Sequence, residues 1–272
     1  MNILLTLLTA GTVLTACSDD EETPQPEKTY YMTINATKQV NEDLARATRA
    51  LNLDDTGVNA EWRTTDEVYV EVMLKSGDKN WYNGTLSPQS NGKETQLNGR
   101  LSKPTGWELT FDEVIAQTFK LTLYFPCKDK PNYAEGQDGT LETIAANYDY
   151  AIADDVQYEI KNDHIEGSRY ATLVNQQAIV KFTLNDGTTL LKPSALTIEI
   201  GNETISLTGM DDETYRANEG DGVLFVAIPE FSDQPVTLTA TVGSDTYTCT
   251  QNDVTFDNGN YYEINVKMNK TN

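Results

Sequence analysis

Apolar residues recur at every second position along most of this 272-residue chain, and that alternation limits its fold more than any other feature. In Tyr30–Ala36, Met32, Ile34 and Ala36 share one face. Val68, Val70, Val72 and Leu74 do the same, as do Leu121, Leu123 and Phe125 before Pro126. Later series are Ala178, Val180, Phe182 and Leu184; Leu196, Ile198 and Ile200; Val236, Leu238, Ala240 and Val242; and Tyr262, Ile264, Val266 and Met268. Period 2 is the side-chain period of a half-buried strand, and no 3.6-residue stripe competes with it. Between the series lie Ser76-Gly77-Asp78, Asn83-Gly84, Asn91-Gly92, Asn185-Asp186-Gly187 and Asn258-Gly259-Asn260. Such residues tolerate the positive φ that tight turns need. The body is therefore read as all-β, built of sandwiches or barrels.

Residues 160–168 are polar and turn-rich, and Ala178-Ile179-Val180-Lys181-Phe182 opens a new hydrophobic series. A boundary near 167 gives an N-terminal β-sandwich over 30–167 and a C-terminal β-sandwich over 168–272, each the size of one small domain. No internal repeat is strong enough to mark a duplication.

The N-terminus is an address. Residues 3–14 form an apolar core too short to span a membrane comfortably, and they end in Leu14-Thr15-Ala16-Cys17. That is the pattern of a bacterial lipoprotein signal over residues 1–16, with Cys17 acylated, as by palmitate, and made the new N-terminus. A plain signal peptide with an incidental Cys is the alternative. Met1-Asn2 carries no Lys or Arg, which leaves the true start open. Residues 17–29 read as an acidic tether: Ser18, Asp19, Asp20, Glu21 and Glu22 are followed by Thr23-Pro24-Gln25-Pro26. Adjacent carboxylates repel and stay solvated, and prolines keep the segment extended. Cys-Ser before an acidic run also resembles the signal that sends lipoproteins to the outer face of the outer membrane in Bacteroidales-type bacteria.

Charge narrows the partners. Asp and Glu number 42 against 20 Lys and Arg, a net charge of −22. Such a chain lacks the basic clusters that bind phosphate backbones or anionic lipid. Chemistry is equally sparse. The single His, His164, lies in a polar stretch and reads as an exposed side chain, so neither a zinc site nor a Ser-His-Asp triad is expected. Cys127 and Cys249 could pair across the two halves, and two buried thiols are preferred. Asp211-Asp212-Glu213 and Glu219-Gly220-Asp221-Gly222 lack the spacing of a Ca²⁺ loop and read as solvated turns. No pair among the many carboxylates stands out as a glycosidase pair. No enzyme activity, cofactor or metal is expected.

The segment Asn41–Ala60 is long for a connection inside a compact domain. It holds Arg46 and Arg49, each followed by a small residue, and an exposed segment of that kind is a substrate for an Arg-specific protease. A helical turn with solvent-facing arginines is the alternative reading of the same residues.

Taken together the chain resembles the fimbrillin family, the subunits of Bacteroidales-type (type V) pili. The carriers are Leu14-Thr15-Ala16-Cys17, Tyr31-Met32-Thr33-Ile34-Asn35-Ala36, Ala47-Thr48-Arg49-Ala50, and Trp62 with Asp66-Glu67-Val68-Tyr69-Val70. Leu121-Thr122-Leu123-Tyr124-Phe125-Pro126 and Gly259-Asn260-Tyr261-Tyr262-Glu263-Ile264-Asn265-Val266 complete them. Their order and spacing carry the resemblance. It implies two tandem transthyretin-like β-sandwich domains, lipoprotein export to the cell surface, and cleavage after Arg46 or Arg49. It also implies assembly with other fimbrial subunits, with Met32, Ile34 and Ala36 on the strand that is exchanged. Stalk subunits of the family donate a C-terminal strand. Here Tyr261–Met268 reads as the last strand with only four residues after it, so either that strand is the donor or the subunit is a tip protein. A receptor on a host or bacterial surface would be a further partner.

The reading from another class is a monomeric, surface-anchored glycan-binding lipoprotein. It would need an exposed aromatic platform, for which Trp81-Tyr82-Asn83-Gly84, Trp107 and Tyr148-Asp149-Tyr150 are the candidates.

Overall fold

The computed structural model describes residues 29–38, 52–54, 57–59, 61–74, 80–102, 119–161, 164–210 and 222–271. Among the described residues the chain is all-β apart from one short helix. In the first body, β1 (Tyr30–Lys38) is followed by β2 (Asn52–Asp54) and β3 (Gly57–Asn59), which among the described residues pair only with each other. Then come β4 (Val68–Leu74), β5 (Asn80–Pro88), β6 (Glu94–Ser102), β7 (Phe119–Phe125), the helix α1 (Leu141–Asn147) and β8 (Ala151–Ala153). β9 (Tyr158–Lys161), β10 (His164–Gly167) and β11 (Ala171–Asn175) complete it.

The strands of the first body lie in the order β11-β8-β7-β4-β5-β6-β1-β10-β9. β11 also pairs with the C-terminal half of β1, which closes seven strands into a ring. The two sheets expected of a sandwich are thus one continuous ladder, which removes most of its open edges. The inward positions are those the alternation marked: Met32, Ile34, Val68, Val70, Val72, Leu121, Leu123 and Phe125 all enter one core with Trp62. Gly84, read as a turn residue, instead lies inside β5. A Cβ there would run into the Arg100 carbonyl oxygen, and one on Gly99 into the Thr85 carbonyl oxygen. Two glycines at these facing strands let the backbones approach closely where the ladder curls.

The second body begins with β12 (Ala178–Asn185), followed by β13 (Ala195–Ile200), β14 (Glu203–Thr208) and β15 (Val223–Ile228). The long hairpin β16 (Phe231–Val242) and β17 (Asp245–Phe256), then β18 (Tyr261–Lys267) and β19 (Asn269–Thr271), complete it. It is a sandwich of a three-stranded sheet, β15-β12-β18, on a five-stranded sheet, β14-β13-β16-β17-β19. Phe182, Leu196, Ile198, Leu238, Ala240 and Val266 fill the space between them. Asn185-Asp186-Gly187 and Asn258-Gly259-Asn260 are turns as read, with Gly187 at φ 95 and Gly259 at φ 76. The strand read as the last one is β18, and residues 269–271 add β19 on the opposite sheet.

The sequence boundary at 167 falls within the first body by strand pairing. β11 follows it yet pairs with β8 and β1, so the change of sheet comes between Asn175 and Ala178. The polar stretch at 160–168 is the β9–β10 hairpin at the sheet edge and not a linker; half-solvated strands carry polar residues for the same reason linkers do.

The β7–β8 connection joins the two bodies. Lys128 places its ammonium 2.6 Å from the buried Glu71 carboxylate of β4, compensating a charge that burial alone would penalise. Beyond it, Tyr133, Leu141, Ile144 and Tyr148 pack on Ile179, Phe225, Ala227 and Tyr261, so the three-stranded sheet is buried on both faces. Thr140 caps α1 by accepting from the Thr143 N–H, and Asp138 accepts from the hydroxyls of Thr140 and Thr143. The same connection covers two strand edges. The Ser206 and Thr208 N–H groups of β14 donate to the Ala134 and Gln137 carbonyls, and the Phe225 N–H of β15 donates to Gly139. The fully buried Gln137 side chain donates to the Ala227 carbonyl at 2.9 Å and accepts from the Ala227 N–H at 2.8 Å.

Candidate functional site

The site with most to say about function is the seat of β1. On one side β1 runs antiparallel to β6, from Tyr30 opposite Leu101 to Thr37 opposite Glu94. On the other it runs parallel to two strands in turn: Tyr31–Thr33 along β10, then Ala36–Lys38 along β11. Among the described residues, every strand that pairs with β1 therefore lies C-terminal to residue 93, while the chain leaves β1 through residues 39–51. No hairpin holds β1 to its sequence neighbour among the described residues.

Its inward side chains are Tyr30, Met32, Ile34 and Ala36, each no more than 1% exposed. Each large one contributes roughly 1.5–3 kcal/mol by burial. Three of these four were marked by the alternation. Tyr30 extends the series by one step, and its ring meets that of Tyr82 edge to face, with centroids 4.6 Å apart. Ile34 sits over Gly167 of β10, where a Cβ would run into Ile34 Cγ1. Gly167→Ala is therefore expected to destabilise the chain by about 1–3 kcal/mol through overpacking. Chemical denaturation checks this; an unchanged midpoint would show that the space over Gly167 is looser than the packing indicates.

Ionisation of the core tyrosines bears on the same seat. Burial, then the neighbouring Tyr30, raises the Tyr82 hydroxyl well above its ordinary value near 10. Burial pushes Tyr158, packed against this core, up to about 12. A raised native value means the folded state holds the proton more tightly, so this contribution is complete below pH 10 and is lost as pH rises toward and beyond 12. The melting temperature is expected to fall steeply above about pH 10. Tyrosinate absorbance from Tyr82 and Tyr158 should appear only together with unfolding; their titration near pH 10 in a folded chain would contradict it.

The other residues singled out by sequence divide clearly. Cys17, Ser18, Asp19, Asp20, Glu21, Glu22, Arg46 and Arg49 lie outside the described residues, as do Asp211–Asp221 and Trp107. His164 is the first residue of β10, half-buried beside Tyr31 and not in a linker. Cys127 is exposed and Cys249 half-buried, both unpaired, which corrects the expectation of two buried thiols. Cys127 follows Pro126 at the rim where the chain leaves β7, a position alternation does not reach. Tyr82, Tyr148, Asp149 and Tyr150 are all buried, so they form no exposed aromatic platform; the Trp81 side chain is outside the described set. Among the described residues, no group of three or more His, Cys, Asp and Glu is placed to hold a metal ion.

No protein-family model matches the chain, and no curated protein matches it. Solved structures do. The chain is similar to a fimbrial assembly protein from Parabacteroides distasonis at 12% identity, over 87% of this chain and 90% of that one, with a TM-score of 0.42. It is similar to a candidate cell adhesion protein from Bacteroides ovatus at 15% identity, over 91% and 96%, with a TM-score of 0.46. A third is the C-terminally truncated tip fimbrial protein Mfa3 from Porphyromonas gingivalis, at 8% identity over 89% and 98%, with a TM-score of 0.42.

Proposed function

We propose that this chain is a pilus subunit of the fimbrillin type, assembled by exchange of its first strand. In this reading it is exported as a lipoprotein precursor, acylated at Cys17 and carried to the cell surface by Ser18, Asp19, Asp20, Glu21 and Glu22. An Arg-specific protease cuts after Arg46 or Arg49, which frees the subunit from its lipid and from β1 together. The filament then lies outside the outer membrane.

The observation that carries the reading is topological. Among the described residues, all pairing partners of β1 lie C-terminal to the two arginines, so a cut there leaves β1 held by non-covalent contacts alone. Its departure would vacate the sites of Tyr30, Met32, Ile34 and Ala36 and open ladder groups on β6, β10 and β11. Exposed apolar surface beside an unpaired edge is a receptor for a strand from another subunit. Anchor residues at roughly 1.5–3 kcal/mol each and ladder hydrogen bonds at about 1 kcal/mol net would hold such a joint. Association entropy offsets part of that gain.

The test is N-terminal sequencing of the protein recovered from sheared surface filaments. A start at Ala50 supports cleavage after Arg49, and a start at Ala47 supports Arg46. An intact chain beginning at Cys17 in assembled filaments would contradict the proposal.

A further inference from the structure

The outer face of the β1 seat carries a second feature that strand exchange does not explain. Tyr31, Thr33, Asn98, Arg100 and His164 line an open groove of about 460 Å³, whose floor includes the backbone of Gly99. That volume lies within the range of small-molecule sites, about 300–1,000 Å³. The register builds it: Arg100 of β6 and His164 of β10 both stand opposite Tyr31, forming one row across three strands. Asn98 and Glu166 stand opposite Thr33 in the next row.

The groove is chemically unusual for this chain. On a molecule with net charge −22, Arg100 has no ion-pair partner among the described residues. Its guanidinium instead lies 4.9 Å from the centroid of the Tyr31 ring. Tyr31 is 45% exposed, one of the few large apolar-bodied side chains left in solvent among the described residues. The nearby acidic group, Glu166, is held by Lys161 at 2.5 Å and so opposes an incoming anion less than a free carboxylate would. Asn98 Oδ1 is buried with no hydrogen-bond partner among the described residues, an acceptor that a small side-chain rotation would offer to a ligand hydroxyl.

We propose that this groove binds an acidic saccharide. Arg100 pairs with the sugar carboxylate, for which a guanidinium fork is suited. The exposed part of the Tyr31 ring takes the apolar face of a pyranose, and Thr33, Asn98 and His164 serve its hydroxyls. An extended peptide fits less well, because β1, β6 and β10 are already paired here and offer no free ladder. Polyanions such as nucleic acid are disfavoured by the net charge, whereas one carboxylate needs only one cation.

Isothermal titration of the full, uncleaved chain with 3′-sialyllactose, trigalacturonate and lactose tests the site. The uncleaved chain keeps Tyr31 and Thr33 in place, so the outcome is independent of whether β1 is ever exchanged. At least one acidic sugar is expected to bind, with lactose weaker by about tenfold or more, the scale of one charge-assisted hydrogen bond. Arg100→Gln should abolish that preference and Arg100→Lys should restore part of it. Tyr31→Ala should weaken acidic and neutral sugars alike, while Tyr170→Ala, an exposed tyrosine elsewhere, should change nothing. Arg100→Lys retains the charge on an unaltered β1 and so reads out the site even if Tyr31→Ala loosens the strand. The proposal is overturned if neither acidic sugar binds, if lactose binds as tightly, or if the preference survives Arg100→Gln. Tighter binding of a penta-glutamate peptide than of either sugar would overturn it in favour of a peptide site.

Discussion

Ile34→Ala in the uncleaved chain is expected to lower its stability by about 2–5 kcal/mol, the range for truncating a buried aliphatic side chain. Ile34 is 1% exposed and wedged over Gly167, and the strands on either side are fixed by their own ladders, so the cavity has little means to collapse. Asn35→Ala, one position along on the solvent side, should move stability by no more than about 0.5 kcal/mol. Denaturant titration of the two variants side by side checks this. Equal, small effects would show that β1 lies on the first body without being part of its core. The contrast bears on the proposed exchange, because the space that Ile34 fills is the space a replacement strand would have to fill.

Gln137→Ala carries the second large effect. The Gln137 amide serves both backbone groups of Ala227 on the outer edge of β15, and its Nε2 also donates to the Tyr133 carbonyl at 2.8 Å. In the variant the Ala227 N–H and carbonyl are left buried without it, at about 1–3 kcal/mol each. The side chain comes from the first body's β7–β8 connection and the edge from the second sandwich, so the loss should also weaken the coupling between them. Calorimetry is expected to resolve two unfolding transitions in the variant and a single one in the parent. A single transition at an unchanged temperature would mean that the hydrophobic contacts of Tyr133, Leu141, Ile144 and Tyr148 join the bodies by themselves.

Alternation marked the inward faces of β1, β4, β7, β12, β13, β16 and β18, because successive side chains of a strand point to opposite sides of its sheet. It could not name their neighbours. The parallel pairing of β1 with β10 and β11 joins residues more than 130 positions apart, and no local signal encodes that distance. β5 and β6 were hard to read because Gly84 and Gly99 interrupt the apolar series where the backbones must approach. β9 and β10 read as a linker because an edge hairpin is polar on its open side. Gln137 left no signal at all: a polar residue in a turn-rich stretch gives no hint that it will stand in for a strand partner. At the candidate seat, Met32, Ile34 and Ala36 were legible from their spacing, whereas Gly167 and Tyr82 belong to the seat only through tertiary contact.

The central claim is that β1 can be replaced once its covalent link is cut. Native mass spectrometry tests it most directly: the chain is cut with an Arg-specific protease and incubated with a synthetic peptide of residues 29–38 carrying a heavy isotope. The account predicts that the cut chain sheds its own N-terminal fragment and gains the mass of one labelled peptide, and that a peptide with Ile34→Asp fails to enter. A cut chain that keeps its original fragment indefinitely, or that loses it and takes up neither peptide, would contradict the account.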